Sequence, residues 1–209
     1  MGGTAPSGWI KLRNSDQDNL GSDGYFGVAY VKVVGNVATD VVVAHRGTEP
    51  TDTGDLVADI QLSLQLANHQ KDDALDFLAN VQTAYEALAE QGYDVDNPFS
   101  DITTHVGHSL GGWLATRTAD SQGSDGVAIT FDSPASGLVG TNASVTHYLN
   151  PPNWINRAGG NRVGTVYELE SDRTFGNDTK VASMANFLAG FADLNIALLN
   201  APTNIITLI

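Results

Sequence analysis

The stretch Ile102-Thr103-Thr104-His105-Val106-Gly107-His108-Ser109-Leu110-Gly111-Gly112-Trp113-Leu114-Ala115 decides how the chain is read. Ile102 to Val106 is rich in β-branched residues and predicts a short strand. Leu110 to Ala119 predicts a helix. Between them lies Gly107-His108-Ser109-Leu110-Gly111, a Gly-x-Ser-x-Gly run with a strand before it and a helix after it. That context gives the motif meaning, because a serine on so sharp a corner is held with its hydroxyl outward. Side chains two positions to either side would collide with the strand and the helix, so glycine fits there. The free N–H groups of the first helical turn favour negative charge developing beside the serine. The plainer reading is a tight turn with an incidental serine.

Working outward, Phe26 to Val34 is β-branched and apolar and reads as a strand, and Gly35-Asn36 turns the chain. Asp40 to His45 carries Val41, Val42 and Val43 in succession, the mark of a strand buried on both faces. Leu56, Val57, Ile60 and Leu64 lie at helical spacing within Gly54 to Leu66. A second helix is predicted over Asp72 to Gln91, with Leu75, Leu78, Val81, Tyr85 and Leu88 on its apolar side and Gly92 as its stop. Further strands are expected at Val127 to Phe131, Val145 to Leu149 and Val163 to Leu169. An amphipathic helix is expected at Val181 to Leu199. Strands alternating with helices imply an α/β fold, a mainly parallel central sheet with helices on both faces. Its catalytic groups would sit in loops at the carboxyl edge.

The composition restricts what such a fold can do. A chain of 209 residues, 42% hydrophobic and 16% charged, is long enough for one domain with a substantial core. Twenty-four Asp and Glu against ten Lys and Arg give a net charge of -14. This argues against nucleic acid and against docking on an anionic membrane. A neutral lipid or a small ester is compatible with it, and the simplest role of the acidity is solubility. The absence of cysteine leaves the redox compartment open. Met1 to Leu20 lacks the basic start and apolar run of a signal peptide, and no stretch reads as a membrane span. The chain is therefore cytoplasmic, exported by another route, or a single domain over 1–209 cut from a longer protein. The apolar Ile205 to Ile209 favours the last. No phosphate loop, dinucleotide fingerprint or zinc motif is present, so neither cofactor nor metal is expected.

Gly107-His108-Ser109-Leu110-Gly111-Gly112 resembles the nucleophile segment of the fungal-type (class three) lipase family of α/β-hydrolases and its bacterial relatives. His45-Arg46-Gly47-Thr48 followed by Asp55-Leu56-Val57-Ala58-Asp59 resembles that family's Arg-Gly-Ser/Thr loop and the helix after it. Thr130-Phe131-Asp132-Ser133-Pro134 is similar to its strand after the nucleophile helix. Asn153-Trp154-Ile155-Asn156 with Val163 to Tyr167 is a softer match. Together these segments cover most of residues 25 to 191.

The resemblance implies an ester hydrolase acting on lipids, with Ser109 as nucleophile. It implies an oxyanion hole built from the backbone N–H groups of Leu110 and Thr48, a lid over Glu49 to His69 that meets a lipid interface transiently, and secretion from a bacterium. In chain order the acid follows the serine. Asp132, at the carboxyl end of a buried strand, is in a suitable place; its plainer role is capping the Ser133-Pro134 turn. Many family members carry the acid one strand later, where this chain has Asn153, which can orient an imidazole without offsetting its charge.

The base is the gap. The histidines are His45, His69, His105, His108 and His147, and none follows residue 147, although the fold places the base late. His45 reads as support beside the oxyanion loop and His147 as a packed strand residue. Lys180 to Leu188 is similar to a late family segment that starts His-Ser-Met, and Ala182 stands in the histidine's place. The expectation is an enzyme lacking its base. The competing expectation is a hydrolase scaffold that holds an acyl chain without turning it over.

Overall fold

The computed structural model describes residues 5, 7–20, 24–47, 56–149 and 161–168, with 56–69 described by their backbone alone. Among the described residues seven strands form one sheet in chain order. They are β1 (Trp9–Asn14), β2 (Gly27–Val34), β3 (Val37–His45), β4 (Thr103–His108), β5 (Val127–Phe131), β6 (Ser144–Leu149) and β7 (Thr165–Glu168). β1, β2 and β3 pair antiparallel, and β3 through β7 pair parallel. The helices are α1 (Leu56–Glu86), between β3 and β4, and α2 (Leu110–Ser121), between β4 and β5.

The register explains the core. Ala29, Val31, Val41 and Val43 share one sheet face and are fully buried. Phe77, Val81 and Tyr85 of α1 pack against that face together with Leu110, Trp113 and Leu114 of α2. Both helices lie on the same side, and topology requires it. β3 to β4 and β4 to β5 step the same way across the sheet, and crossovers between parallel strands are right-handed almost without exception. The described residues thus supply one side of the expected two-sided cover. The segment Val181 to Leu199, expected to contribute further cover, lies outside them. Val42 is also buried, on the opposite face from its neighbours, as its unbroken apolar run predicts.

The structure departs from the sequence reading at two elements. The helices predicted at 54–66 and 72–91 are one: α1 runs unbroken for 31 residues and tightens to a 3-10 turn over Ala87–Gln91. The intervening Ala67-Asn68-His69-Gln70-Lys71 is polar but contains neither glycine nor proline, so nothing stops the helix. Its buried stripe is Ala74, Phe77, Val81, Tyr85 and Leu88, with Leu75 and Leu78 half-buried at its margin. β1 was not anticipated; it is an edge strand whose residues are mostly half-buried, and it carries little apolar signal.

Candidate active site

Ser109 occupies the corner between β4 and α2 with φ 53° and ψ -127°, outside every region an L-residue adopts freely. Such a conformation costs on the order of 1–3 kcal/mol and persists only where its surroundings dictate it. Here they do. The Ser109 amide donates to Phe131 O at 2.9 Å, and its carbonyl accepts from the amides of Gly112 and Trp113 at 3.0 and 3.3 Å. A methyl group at Gly107 would lie 2.2 Å from the Gly111 backbone, and one at Gly111 would lie 2.1 Å from His45 O. A methyl group at Gly112 would lie 2.6 Å from Ser133 Cβ. All three glycines are therefore close-approach positions: Gly107 and Gly111 touch neighbouring backbone, and Gly112 lies against the Ser133 and Thr130 side chains. The Ser109 residue is 8% exposed.

The end of β3 reaches the same corner. The Arg46 amide donates to Phe26 O at 2.9 Å, and its guanidinium lies 5.0 Å from the centroid of the Phe26 ring. Gly47 follows, so close to the corner that a Cβ there would stand 2.7 Å from His108 O and 3.5 Å from Ser109 Cβ. The chain leaving β3 is thus laid across the first turn of α2, which Leu110 opens. Thr48, the expected second oxyanion donor, lies outside the described residues.

Asp132 stands at the carboxyl end of β5, 4% exposed and with φ 44°. Its amide donates to Tyr148 O at 2.9 Å, prolonging the β5–β6 ladder by one step. Its carboxylate acts on two neighbours. Burial pushes the His108 imidazole down to about 4, against an upward pull from Asp132. Burial also lowers Arg162, and Asp132 again pulls the other way. The structure therefore brings Ser109, Leu110, Gly47 and Asp132 to one edge of the sheet, at the ends of β3, β4 and β5. Asn153 and Ala182 lie outside the described residues.

Three of the four histidines whose side chains are described have other engagements. His147 Nε2 donates to Val163 O at 3.0 Å, and its Nδ1 meets Thr130 Oγ1 at 2.6 Å, deep beside β5. His45 Nδ1 meets the Tyr25 hydroxyl at 3.1 Å and its Nε2 meets His105 Nδ1 at 3.3 Å. His105 Nε2 meets Gln122 Oε1 at 2.8 Å. Desolvation pushes His45 well below the ordinary imidazole range and His105 down to about 4, so both are neutral at pH 7.

Two residues near the site were not foreseen. Arg162 Nη2 donates to Ser133 O at 2.5 Å and Nη1 lies 3.4 Å from Ser133 Oγ, tying the turn after Asp132 to the segment before β7. Arg117 of α2 donates to Ser136 O at 2.6 Å and lies over the Trp113 ring, holding the same loop from the other side. Neither arginine belongs to a motif, so only the folded chain reveals them. Among the described residues, no group of three or more His, Asp or Glu could hold a metal ion, and no helix is long and apolar enough to cross a membrane. No protein-family model matches the chain, and no curated protein does either.

Proposed function

We propose that the chain is a serine hydrolase of the α/β-hydrolase fold, of the fungal-type lipase kind, that cleaves carboxylic esters of lipids through an acyl-enzyme on Ser109. The observation that carries this reading is the strained Ser109 corner, clamped by three glycines, with the N-terminus of α2 opening beside it. A resting turn has no reason to hold a serine at positive φ when glycine is cheaper there by about 1 kcal/mol or more. In the reaction, Ser109 Oγ attacks the ester carbonyl carbon and its proton passes to a base. The carbonyl oxygen becomes anionic and is received by the amides of Leu110 and Thr48. Collapse of the tetrahedral intermediate expels the alcohol, which takes that proton, and water then hydrolyses the acyl-enzyme. Asp132 is the proposed orienting acid, with Asn153 as the alternative, and the substrate is a neutral lipid or small ester. Secretion, transient contact with a lipid interface and excision of 1–209 from a longer chain belong to the same proposal.

The base decides how much of this chemistry the chain performs. His45, His105 and His147 are committed to other hydrogen bonds, and Ala182 stands where the late histidine is expected. This favours a second reading, a hydrolase scaffold that binds an acyl group without turnover. A fluorophosphonate probe and a short-chain p-nitrophenyl ester separate the two. Under the hydrolase reading Ser109 takes the label, Ser109→Ala does not, and turnover is slow. Ala182→His then raises turnover, because a serine hydrolase lacking one triad member retains only ~10³–10⁴-fold acceleration over water. An unlabelled Ser109 would sink the hydrolase reading, and an Ala182→His variant no faster than wild type would sink the assignment of position 182.

A further inference from the structure

Three histidines, His45, His105 and His147, project from the sheet face that α1 and α2 cover, a placement fixed by the register from β3 to β6. Two of them join a chain of buried polar groups that the reaction described above does not use. It runs from Tyr25, in the loop before β2, to His45 at the end of β3, His105 in the middle of β4, and Gln122 at the C-cap of α2. Tyr25, His45 and His105 are all buried. Their neighbours on that face are Ala29, Val31, Val41 and Val43, so aliphatic residues would fit there without the desolvation of two imidazoles and a phenol.

The bonding has a single direction. Gln122 Oε1 can only accept, so His105 Nε2 carries a hydrogen and His105 Nδ1 is the acceptor. His45 Nε2–H then donates to it, and His45 Nδ1 accepts from the Tyr25 hydroxyl. Both imidazoles are neutral Nε2–H tautomers, as their burial demands. Gly27, the register partner of His45, makes the first link possible, since a Cβ there would lie 2.3 Å from the Tyr25 hydroxyl oxygen.

The chain touches α2 at both ends. Gln122 closes its C-terminus. At the other end, the His45 carbonyl and the Arg46–Gly47 backbone press on Gly111, about 16 Å away along the helix at 1.5 Å per residue. We propose that Tyr25, His45, His105 and Gln122 form a one-way hydrogen-bonded brace that fixes the end of β3 against the first turn of α2, and so positions the oxyanion loop relative to Ser109. This rests on Ser109 being the nucleophile, and the four are positioning residues.

The test compares wild type with Tyr25→Phe, Gln122→Met and the double variant, all as the full chain at pH 7. Both substitutions keep volume and remove one hydrogen-bonding group. Amide hydrogen exchange by NMR is read at Arg46 and Ser109, whose amides bond Phe26 O and Phe131 O, and at Ser144, whose amide bonds Gly126 O away from the corner. The brace predicts exchange about five- to tenfold faster at Arg46 and Ser109 in each single variant, the size that one lost buried hydrogen bond implies, with Ser144 unchanged. The double variant should exchange no faster than the larger single, because both cuts interrupt one chain. Gln122→Glu, which keeps the acceptor, should restore the wild-type rate. Imidazole ¹⁵N shifts should show Nε2–H tautomers for His45 and His105. Unchanged exchange at Arg46 and Ser109, or a double effect equal to the product of the singles, overturns the brace. Should Tyr25→Phe not fold, the pair Gln122→Met and Gln122→Glu decides alone. Fluorophosphonate labelling of Ser109 should slow in the same order as exchange quickens. A wild-type Ser109 that takes no label, with exchange as expected, ends the hydrolase reading and the oxyanion role with it, and leaves the brace as a tie between the end of β3 and α2.

Discussion

Gly111 shows how little freedom a single position has at the Ser109 corner. A methyl group there meets His45 O at 2.1 Å and the Arg46 and Gly47 backbone at 2.9 Å, with no flexible side chain to move aside. Gly111→Ala is expected to cost about 3 kcal/mol, at the upper end for overpacking. Gly35→Ala meets open space at φ 67° and should cost only about 1–2 kcal/mol, the strain of a left-handed alanine. Urea midpoints of the two variants check the ordering. The histidines set a second expectation. Burial lowers His105 and His108 to about 4 and depresses His45 and His147. The unfolded chain binds protons below about 6.5 while the folded chain refuses them, so stability is complete above pH 6.5 and declines as pH falls toward 4. For His105 alone the loss at pH 4.5 is roughly 2 kcal/mol. Urea midpoints at pH 7 and pH 4.5 test the sign; an unchanged midpoint would mean that these rings are not buried neutral.

At the scale of elements, much was legible and the exceptions have physical causes. β3 was readable because Val41, Val42 and Val43 leave no polar face, and β4 and α2 because the Gly-x-Ser-x-Gly run fixes where one stops and the other starts. Ser109 was legible for the same reason: the backbone conformation it needs dictates the glycines around it. α1 reads as two helices in the sequence because its polar middle suggests a break, although polarity alone does not end a helix. Lys71→Pro discriminates: it should cost about 3 kcal/mol and lower the helical circular dichroism signal, whereas a loop would tolerate it. The links between Tyr25, His45, His105 and Gln122 were illegible, since they join residues up to 60 positions apart that no local pattern relates. Its neighbours in sequence place His45 beside the proposed oxyanion loop, but its hydrogen bonds become visible only with the register of β2, β3 and β4.

For the whole molecule, charge and topology matter most. A net charge of -14 makes the folded state repel itself. Raising sodium chloride from 20 mM to 500 mM should therefore raise the urea midpoint by screening; a fall would show that attractive pairs dominate. Attractive pairs are also present, Arg13–Asp18 and Lys32–Asp40 among them, near the β1–β3 edge. At the other edge, among the described residues, β7 pairs with β6 alone, and its Val166 and Tyr167 are 41% and 52% exposed. Val166→Lys should leave stability within about 0.5 kcal/mol and reduce association on concentration, read by light scattering. Finally, strand order equals chain order across the sheet. A chain emerging from the ribosome can lay each new strand on a template already made, with no earlier partner to wait for or displace. Joints that reach forward interrupt this growth: among the described residues the Ser109 amide is anchored by Phe131, the last residue of the strand that follows, and the Asp132 amide by Tyr148 of the strand after that. The nascent protein therefore holds its corner unlocked until β5 has been synthesised, and any chemistry at Ser109 begins only then.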